Sequence, residues 1–405
     1  MQPVKLTIPG DFWDSQIYRG RLYLWDMENA LRVYDWDALI HSLEDGRNRL
    51  PLLCSFTRGD YLYHVDWSLV FDDQDVRHLL ETKFQALASQ HHEIDPSTLA
   101  DYLLAQQDNP FGTMHDDSEI YINRLYGIND SGLSSVEVHN QRRRKRVIEN
   151  ETRQLWDGQG TSIRAGANSL AVAAADDGLF EIPIPVDEAL APDQSRGNGS
   201  DNFQLSKRHT LFANWAFASI YGSSDVEDSY LAAFEWRQEK EDEGRPRWER
   251  HFSRVVDAKS IFGQGGLSWG FQEKIYQPVR GGLRVTRFTQ KYVSTEEGGE
   301  AFSEPEFIPF QAWKGEIIGG GATFFGTIVE CENALVVLRS DGEFYNLPGA
   351  VTRWRVFPRS TRYENQLHVL YEDRLEIHSF NHDYFVDQRT KNLGVEHRTK
   401  TRWYM

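Results

Sequence analysis

The stretch Ser169 to Ile184, SLAVAAADDGLFEIPI, decides the fold. It reads as one β-hairpin: an apolar run, a turn at Asp176-Asp177-Gly178, then a second run rich in Phe and Ile. Gly178 can take the positive φ of a tight turn, and the flanking Asp side chains can bond their own backbone. In the first run Leu170, Val172 and Ala174 point to one face, and Ala171, Ala173 and Ala175 to the other. Neither face is polar, so the strand is expected to be covered on both sides, with its alanine face against a very close neighbour. Doubly covered strands occur in parallel α/β sheets, but the tight turn makes this pair antiparallel. What remains is sheets stacked face on face, as in sandwiches and propellers.

Hairpins of this kind recur, starting near Leu22, Glu119, Ser169, Asn214, Gly266, Ala334 and Gln366. The clearest relatives are RLYLWDMENALRVYD near the start, ALVVLRSDGEFYNL at 334–347 and QLHVLYEDRLEIHSF at 366–380. Two further strands are expected over Leu50–Phe56 and Tyr61–Phe71. One region breaks the pattern. Val76, Leu79, Leu80, Phe84, Leu87 and Ala88 follow helical spacing, and Asp95-Pro96 opens a second helical stretch carrying Leu99, Tyr102, Leu103 and Leu104. The spacing predicts a helical hairpin inserted over residues 73–107.

With that insertion removed, the hairpins are spaced by roughly 30 to 70 residues, centred near the ~40–50 of a four-stranded propeller blade. The chain therefore resembles β-propeller repeat proteins at the level of architecture. No WD dipeptide falls at a fixed place and kelch double glycines do not recur, so no functional residue carries over from a propeller family. The expected fold is all-β: a β-propeller, with seven four-stranded blades favoured within a range of six to eight, forming one domain over 1–405. Two β-sandwich domains dividing near 186–207 are the competing arrangement. Propellers often complete a blade with strands from both termini, and PVKLTIPG could supply such a strand.

The chain has 405 residues and a formal charge of −17, from 44 basic and 61 acidic side chains. That balance argues against general binding to nucleic acid or anionic membranes. Its two cysteines, Cys54 and Cys331, sit in apolar runs and are expected as buried free thiols, with no disulfide framework or zinc site. The start, MQPVKLTIPG, lacks the charged head and apolar core of a signal peptide, and no apolar run approaches the ~18 residues of a membrane span. The expected location is cytoplasmic.

Few residues stand out as chemistry. Arg142, Arg143, Arg144, Lys145 and Arg146 form a run of five cations that either contacts an acidic or phosphate-bearing partner or forms a solvated turn. His91 and His92, followed by Glu93 and Asp95, lack the HExxH spacing that aligns two imidazoles and suit a polar turn better than a metal site. These seven residues are the candidate partner contacts. Aromatic and acidic residues also cluster, at Asp11-Phe12-Trp13-Asp14, Trp25-Asp26, Tyr34-Asp35-Trp36-Asp37 and Tyr371-Glu372-Asp373; paired carboxylates beside aromatics suit glycosidase chemistry, but such aromatics also fill the space between blades. Gly319 to Gly321 has neither the following helix nor the Lys of a phosphate loop and suits close backbone packing. No catalytic residue, metal or cofactor is expected.

Polar and acidic stretches at 186–204, 239–247 and 294–306 each follow the second strand of a hairpin, placing them between the third and fourth strands of a blade. The function expected is a non-catalytic interaction scaffold or adaptor, docking another protein through these loops and the helical insertion. The alternative is a hydrolase or lyase with carboxylates at a central channel.

Overall fold

The structure, a computed structural model, describes residues 1–64, 71–139, 147–184, 203–239, 247–289, 301–310 and 315–397. Its strands form seven antiparallel blades of four strands each, the fold of a β-propeller. Within a blade, strands are named A to D in the order in which they pair. Seven blades replace the two-sandwich alternative. The chain divides into two compact units: Met1–Thr113, Val138–Glu149 and Ala312–Met405 form the first, Met114–Glu137 and Asn150–Gln311 the second.

The second unit holds blades 3, 4 and 5 and most of blade 2, of which Val138, Ile148 and Glu149 are assigned to the first. Blade 2 comprises Asp117–Tyr121, Arg124–Asn129, Gly132–Val138 and Ile148–Trp156, and blade 3 comprises Ser162–Gly166, Ser169–Ala173, Leu179–Pro183 and Phe203–Ser206. Blade 4 comprises Phe212–Ala216, Ser219–Ser223, Tyr230–Glu239 and Arg247–Asp257; blade 5 comprises Trp269–Phe271, Lys274–Val279, Gly282–Arg287 and Glu306–Pro309. The hairpin at Ser169 is strands B and C of blade 3, with Ala171 opposite Glu181 and Val172 opposite Phe180. Gly178 takes a φ of +95°, and a Cβ there would lie 2.1 Å from the Ser206 carbonyl oxygen. Both faces of strand B are covered as expected. Leu170 and Val172 pack with Tyr126 and Ile128 of blade 2, while Ala171 and Ala173 pack with Ala213, Trp215 and Ile220 of blade 4. The small side chains let the next blade approach closely.

The first unit holds three blades. Blade 6 comprises Ile317–Ala322, Gly326–Cys331, Ala334–Arg339 and Phe344–Pro348. Blade 7 comprises Arg353–Val356, Gln366–Tyr371, Arg374–Ser379 and, as its D strand, the N-terminal Val4–Pro9, which pairs antiparallel along its whole length from Val4–Ser379 to Pro9–Arg374. Blade 1 comprises Phe12–Tyr18, Arg21–Asp26, Ala30–Asp35 and Leu103–Asp108. At blade 6, Gly319 and Gly321 pack closely as expected: a Cβ on Gly321 would lie 2.7 Å from the Trp354 ring. Cys54 and Cys331 are buried free thiols, and burial pushes the Cys54 thiol up to about 12.

Four expectations change. Leu50–Phe56 lies in a helix, Arg49–Phe56, and Tyr61–Tyr63 is a short 3-10 turn rather than strand. The run LPLLCSF is apolar throughout, so its periodicity does not separate strand from buried helix. Helix begins earlier than 73, at Trp36–Ser42, and ends earlier than 107: beyond Gln74–Ala88 and Pro96–Asp101, residues Leu103–Asp108 are strand D of blade 1. The hairpin at Ala334 is strands C and D, because Gly326–Cys331 pairs ahead of it as strand B. Finally, the hairpin starting near Gly266 is expected to join Gly266–Phe271 to Gly282–Phe288, but Lys274–Val279 lies between Trp269–Phe271 and Gly282–Arg287 and pairs with both.

Candidate interaction surface

Between strands C and D of blade 1 lies the helical insertion, residues 36–102. The first helix starts where Asp35 caps it, its Oδ1 accepting from Ala38 N at 3.1 Å. Trp36, Leu39, Ile40, Leu52, Phe56, Leu87, Ile94 and Leu99 enter the same core as Leu6, Ile8, Leu22, Leu24 and Ile377 of blades 7 and 1. A second cluster joins Cys54, Leu62 and Phe84 to Tyr384, just past the last blade strand. Buried polar bonds close the seam: Gln366 Nε2 donates to Ser55 O at 3.0 Å, Asn381 Nδ2 to Ser55 Oγ at 2.7 Å, and Tyr384 Oη to Gly59 O at 2.8 Å. A two-residue strand, His92–Glu93, adds in parallel to Val4–Pro9 at the open side of blade 7. The insertion is seated on its blades.

One carboxylate ties several of these segments together. Asp383 is fully buried and ion-paired to Lys391, whose Nζ lies 3.1 Å from Oδ1 and also donates to Phe324 O at 2.8 Å. Tyr63 of the insertion donates its hydroxyl to Oδ2 at 2.5 Å, and Ser340, in the C–D turn of blade 6, donates to Oδ1. Burial pushes the Asp383 carboxyl up, but Lys391, His382 and the donated hydrogen bonds together hold it below the usual carboxylate range. His382, at 3.1 Å from Ser340 Oγ, is driven down to about 4 by burial and by Arg339. Beside this cluster His397 stacks on Tyr63, ring centroids 3.8 Å apart, and meets Glu364 at 2.7 Å. No spacing in the sequence pointed to this site, because Tyr63 and Asp383 lie 320 positions apart.

The outward side differs. In the helix Gln74–Ala88, Leu80, Phe84 and Leu87 face inward at helical spacing, whereas Val76 and Leu79 are 38% and 55% exposed. Leu50, on the neighbouring helix, is 43% exposed. His91 is exposed and meets Glu93 at 3.1 Å; His92 is half-buried, with Nε2 at 3.2 Å from Leu87 O. Arg142, Arg143, Arg144, Lys145 and Arg146 lie outside the described residues.

The carboxylates relevant to an enzyme reading are held apart. Asp14 is fully buried against Arg355, with Nη2 at 2.7 Å from Oδ2. Glu330 accepts from Trp354 Nε1 at 2.7 Å, and burial raises its carboxyl despite that bond. Trp354 and Arg355 are consecutive in strand A of blade 7, so their side chains leave opposite faces. Asp14 and Glu330 are therefore bound on opposite sides of one strand. Trp25, Tyr23 and Trp36 are buried core side chains, and Asp26 pairs with Arg32 at 2.7 Å. Among the described residues, no cluster of three or more His, Cys, Asp and Glu could hold a metal.

No protein-family model matches the sequence, and no curated protein matches it. Among solved structures, the chain is similar to the computationally designed Ika8 protein, at 8% identity over 94% of this chain and 100% of that one, with a TM-score of 0.41. It is similar to the Pan2 WD40 domain of Neurospora crassa at 8% identity, covering 91% of this chain and 89% of that one, with a TM-score of 0.43. A gluconolactonase of Xanthomonas campestris matches at 10% identity over 63% of this chain and 82% of that one, with a TM-score of 0.34. Likeness this distant carries no argument about function. Among the described residues no helix is long and apolar enough to cross a membrane.

Proposed function

We propose that the protein is a non-catalytic interaction scaffold that docks a partner protein through its helical insertion. The observation that carries this reading is the helix Gln74–Ala88, which buries one apolar ridge and presents a second, Val76 and Leu79, to solvent. Its base is fixed by a shared core and buried hydrogen bonds, so the exposed ridge is held ready rather than ordered on binding, and docking costs little conformational entropy. His91 and His92 would contribute polar contacts beside it, and Arg142 to Arg146 an acidic contact on the partner. The two buried free thiols suit a reducing compartment, the cytoplasm.

The test is tagged capture from cells that produce the protein, comparing wild type with Leu79→Asp. The expected result is a specific co-purifying protein that the variant loses while its thermal unfolding is unchanged. The same proteins recovered with both versions would refute docking through the insertion.

A further inference from the structure

The D strand of a blade has an open side whose N–H and C=O groups can pair with another chain, and natural sheets blunt such edges with charge, proline, shortness or cover. In this protein most of the described edges are blunted. Ile148–Trp156 carries Glu149, Glu151 and Arg153, and Arg247–Asp257 carries Glu249, Arg250, Arg254 and Asp257; Glu306–Pro309 and Phe344–Pro348 end in proline, Phe203–Ser206 is four residues long, and the centre of Val4–Pro9 is covered by His92–Glu93. Leu103–Asp108 of blade 1, sequence LLAQQD, carries no charge or proline over its first five residues, and among the described residues no strand pairs on its open side.

The geometry leaves that edge open. Asn109 N donates to Asn29 O at 2.9 Å, and Gln107 and Ala105 lie opposite Leu31 and Val33, so by the antiparallel alternation these residues turn their backbone groups toward strand C. Gln106 and Asp108 therefore turn theirs outward. Leu103 and Leu104 are 39% and 44% exposed, with Leu104 set in a bulge of the pairing. Exposed Asp101 and Asp108 stand at the two ends of the strand.

We propose that Leu103–Asp108 binds an extended segment of a partner protein, added to blade 1 as a fifth strand, with an uncharged, alternately apolar centre and Lys or Arg at its ends. Two observations select this occupant. Blade 7 already accepts a fifth strand on its D strand, through Leu6–His92 and Thr7–Glu93 pairing and a bond from Ile94 N to Thr7 O of 2.9 Å. The charge frame selects basic ends and disfavours a second copy, since each chain carries −17 and self-pairing would bring Asp101 and Asp108 of one copy near those of the other. This site goes beyond docking by the Val76 and Leu79 ridge and uses different residues.

The probe is a fluorescent heptapeptide of alternating valine and threonine with lysine at each end, titrated against the full chain by anisotropy at low salt. Saturable binding is expected, weaker by about threefold to tenfold when glutamates replace the lysines, from two surface ion pairs. Gln106→Pro removes an N–H only from the open side and should abolish binding while thermal unfolding is retained; Gln106→Lys, which keeps the backbone donor, should weaken it by charge alone. Leu79→Asp should leave it unchanged, which separates this site from the insertion ridge. Absence of binding, or equal binding by the Gln106→Pro chain, would overturn the proposal. So would a dimer in sedimentation that Gln106→Pro dissolves, which would make the occupant a second copy.

Discussion

Replacing Lys391 with methionine keeps most of the buried stem and removes its charge and its N–H donors. Asp383 would then remain fully buried with hydrogen bonds from Tyr63 and Ser340 but no counter-ion, and Phe324 O would lose its donor. Stripping one partner from a buried ion pair costs about 3–5 kcal/mol, a large share of the ~5–15 kcal/mol that holds a typical domain folded. Urea unfolding followed by tryptophan fluorescence measures the loss, and a cycle with Asp383→Asn isolates the pair, with an expected coupling of about 1–3 kcal/mol. The pH dependence gives a second reading. In the wild type the Asp383 carboxyl sits below its ordinary value, so its contribution is fully present above about pH 4 and is lost only as pH falls through the lower folded value. Without Lys391 the carboxyl moves upward, and the deficit of the variant should shrink as the medium is acidified and Asp383 becomes neutral. A deficit below about 1 kcal/mol that does not change with pH would refute the account, because it would mean that Lys391 does not compensate a buried charge.

Other consequences are as specific. Burial and then Arg355 drive His368 down to about 3, and burial and Arg339 drive His382 to about 4, so both stay neutral when folded. As pH is lowered the unfolded chain binds those protons first, near pH ~6.5, so these two should lower stability by about 2–3 kcal/mol per pH unit around pH 5, and His378, also driven down by burial, adds in the same direction; His368→Gln should reduce the slope by about 1.4 kcal/mol per pH unit in urea titrations across pH. Gly321→Ala places a methyl group 2.7 Å from the Trp354 ring and should cost about 1–3 kcal/mol by overpacking, read as a lower urea midpoint. Gly178→Ala should cost more than a typical turn substitution, since the new Cβ meets the Ser206 carbonyl at 2.1 Å. Unchanged midpoints in either glycine variant would show that the neighbouring strand yields freely.

The blades were legible where turn and alternation agree. The hairpin at Ser169 has a single turn signal and two apolar faces, so its place between two blades followed from its residues. At blade 6 two turns compete, Glu332-Asn333 and Ser340-Asp341-Gly342, and both are real; alternation alone does not say which opens the C strand. Residues 49–56 are apolar all round, which hides their period, and Leu103–Asp108 follows a short helix without a breaker between them. The Asp383 cluster was illegible for a different reason. Its meaning lies in distance in space, between Tyr63, Ser340 and Lys391, and no local pattern encodes that.

The pairing of Val4–Pro9 with Arg374–Ser379 also sets a schedule. At a synthesis rate of about 5–20 residues per second, Val4–Pro9 waits roughly 20–75 s for its partner to be translated. Through that interval LTI, the apolar centre of the strand, is an unpaired edge former in a growing chain, and of the seven blades described blade 7 is completed after the others although its D strand is translated before theirs. Slowing translation late in the message should therefore lengthen exposure of the N-terminal strand and raise aggregation without altering the finished protein.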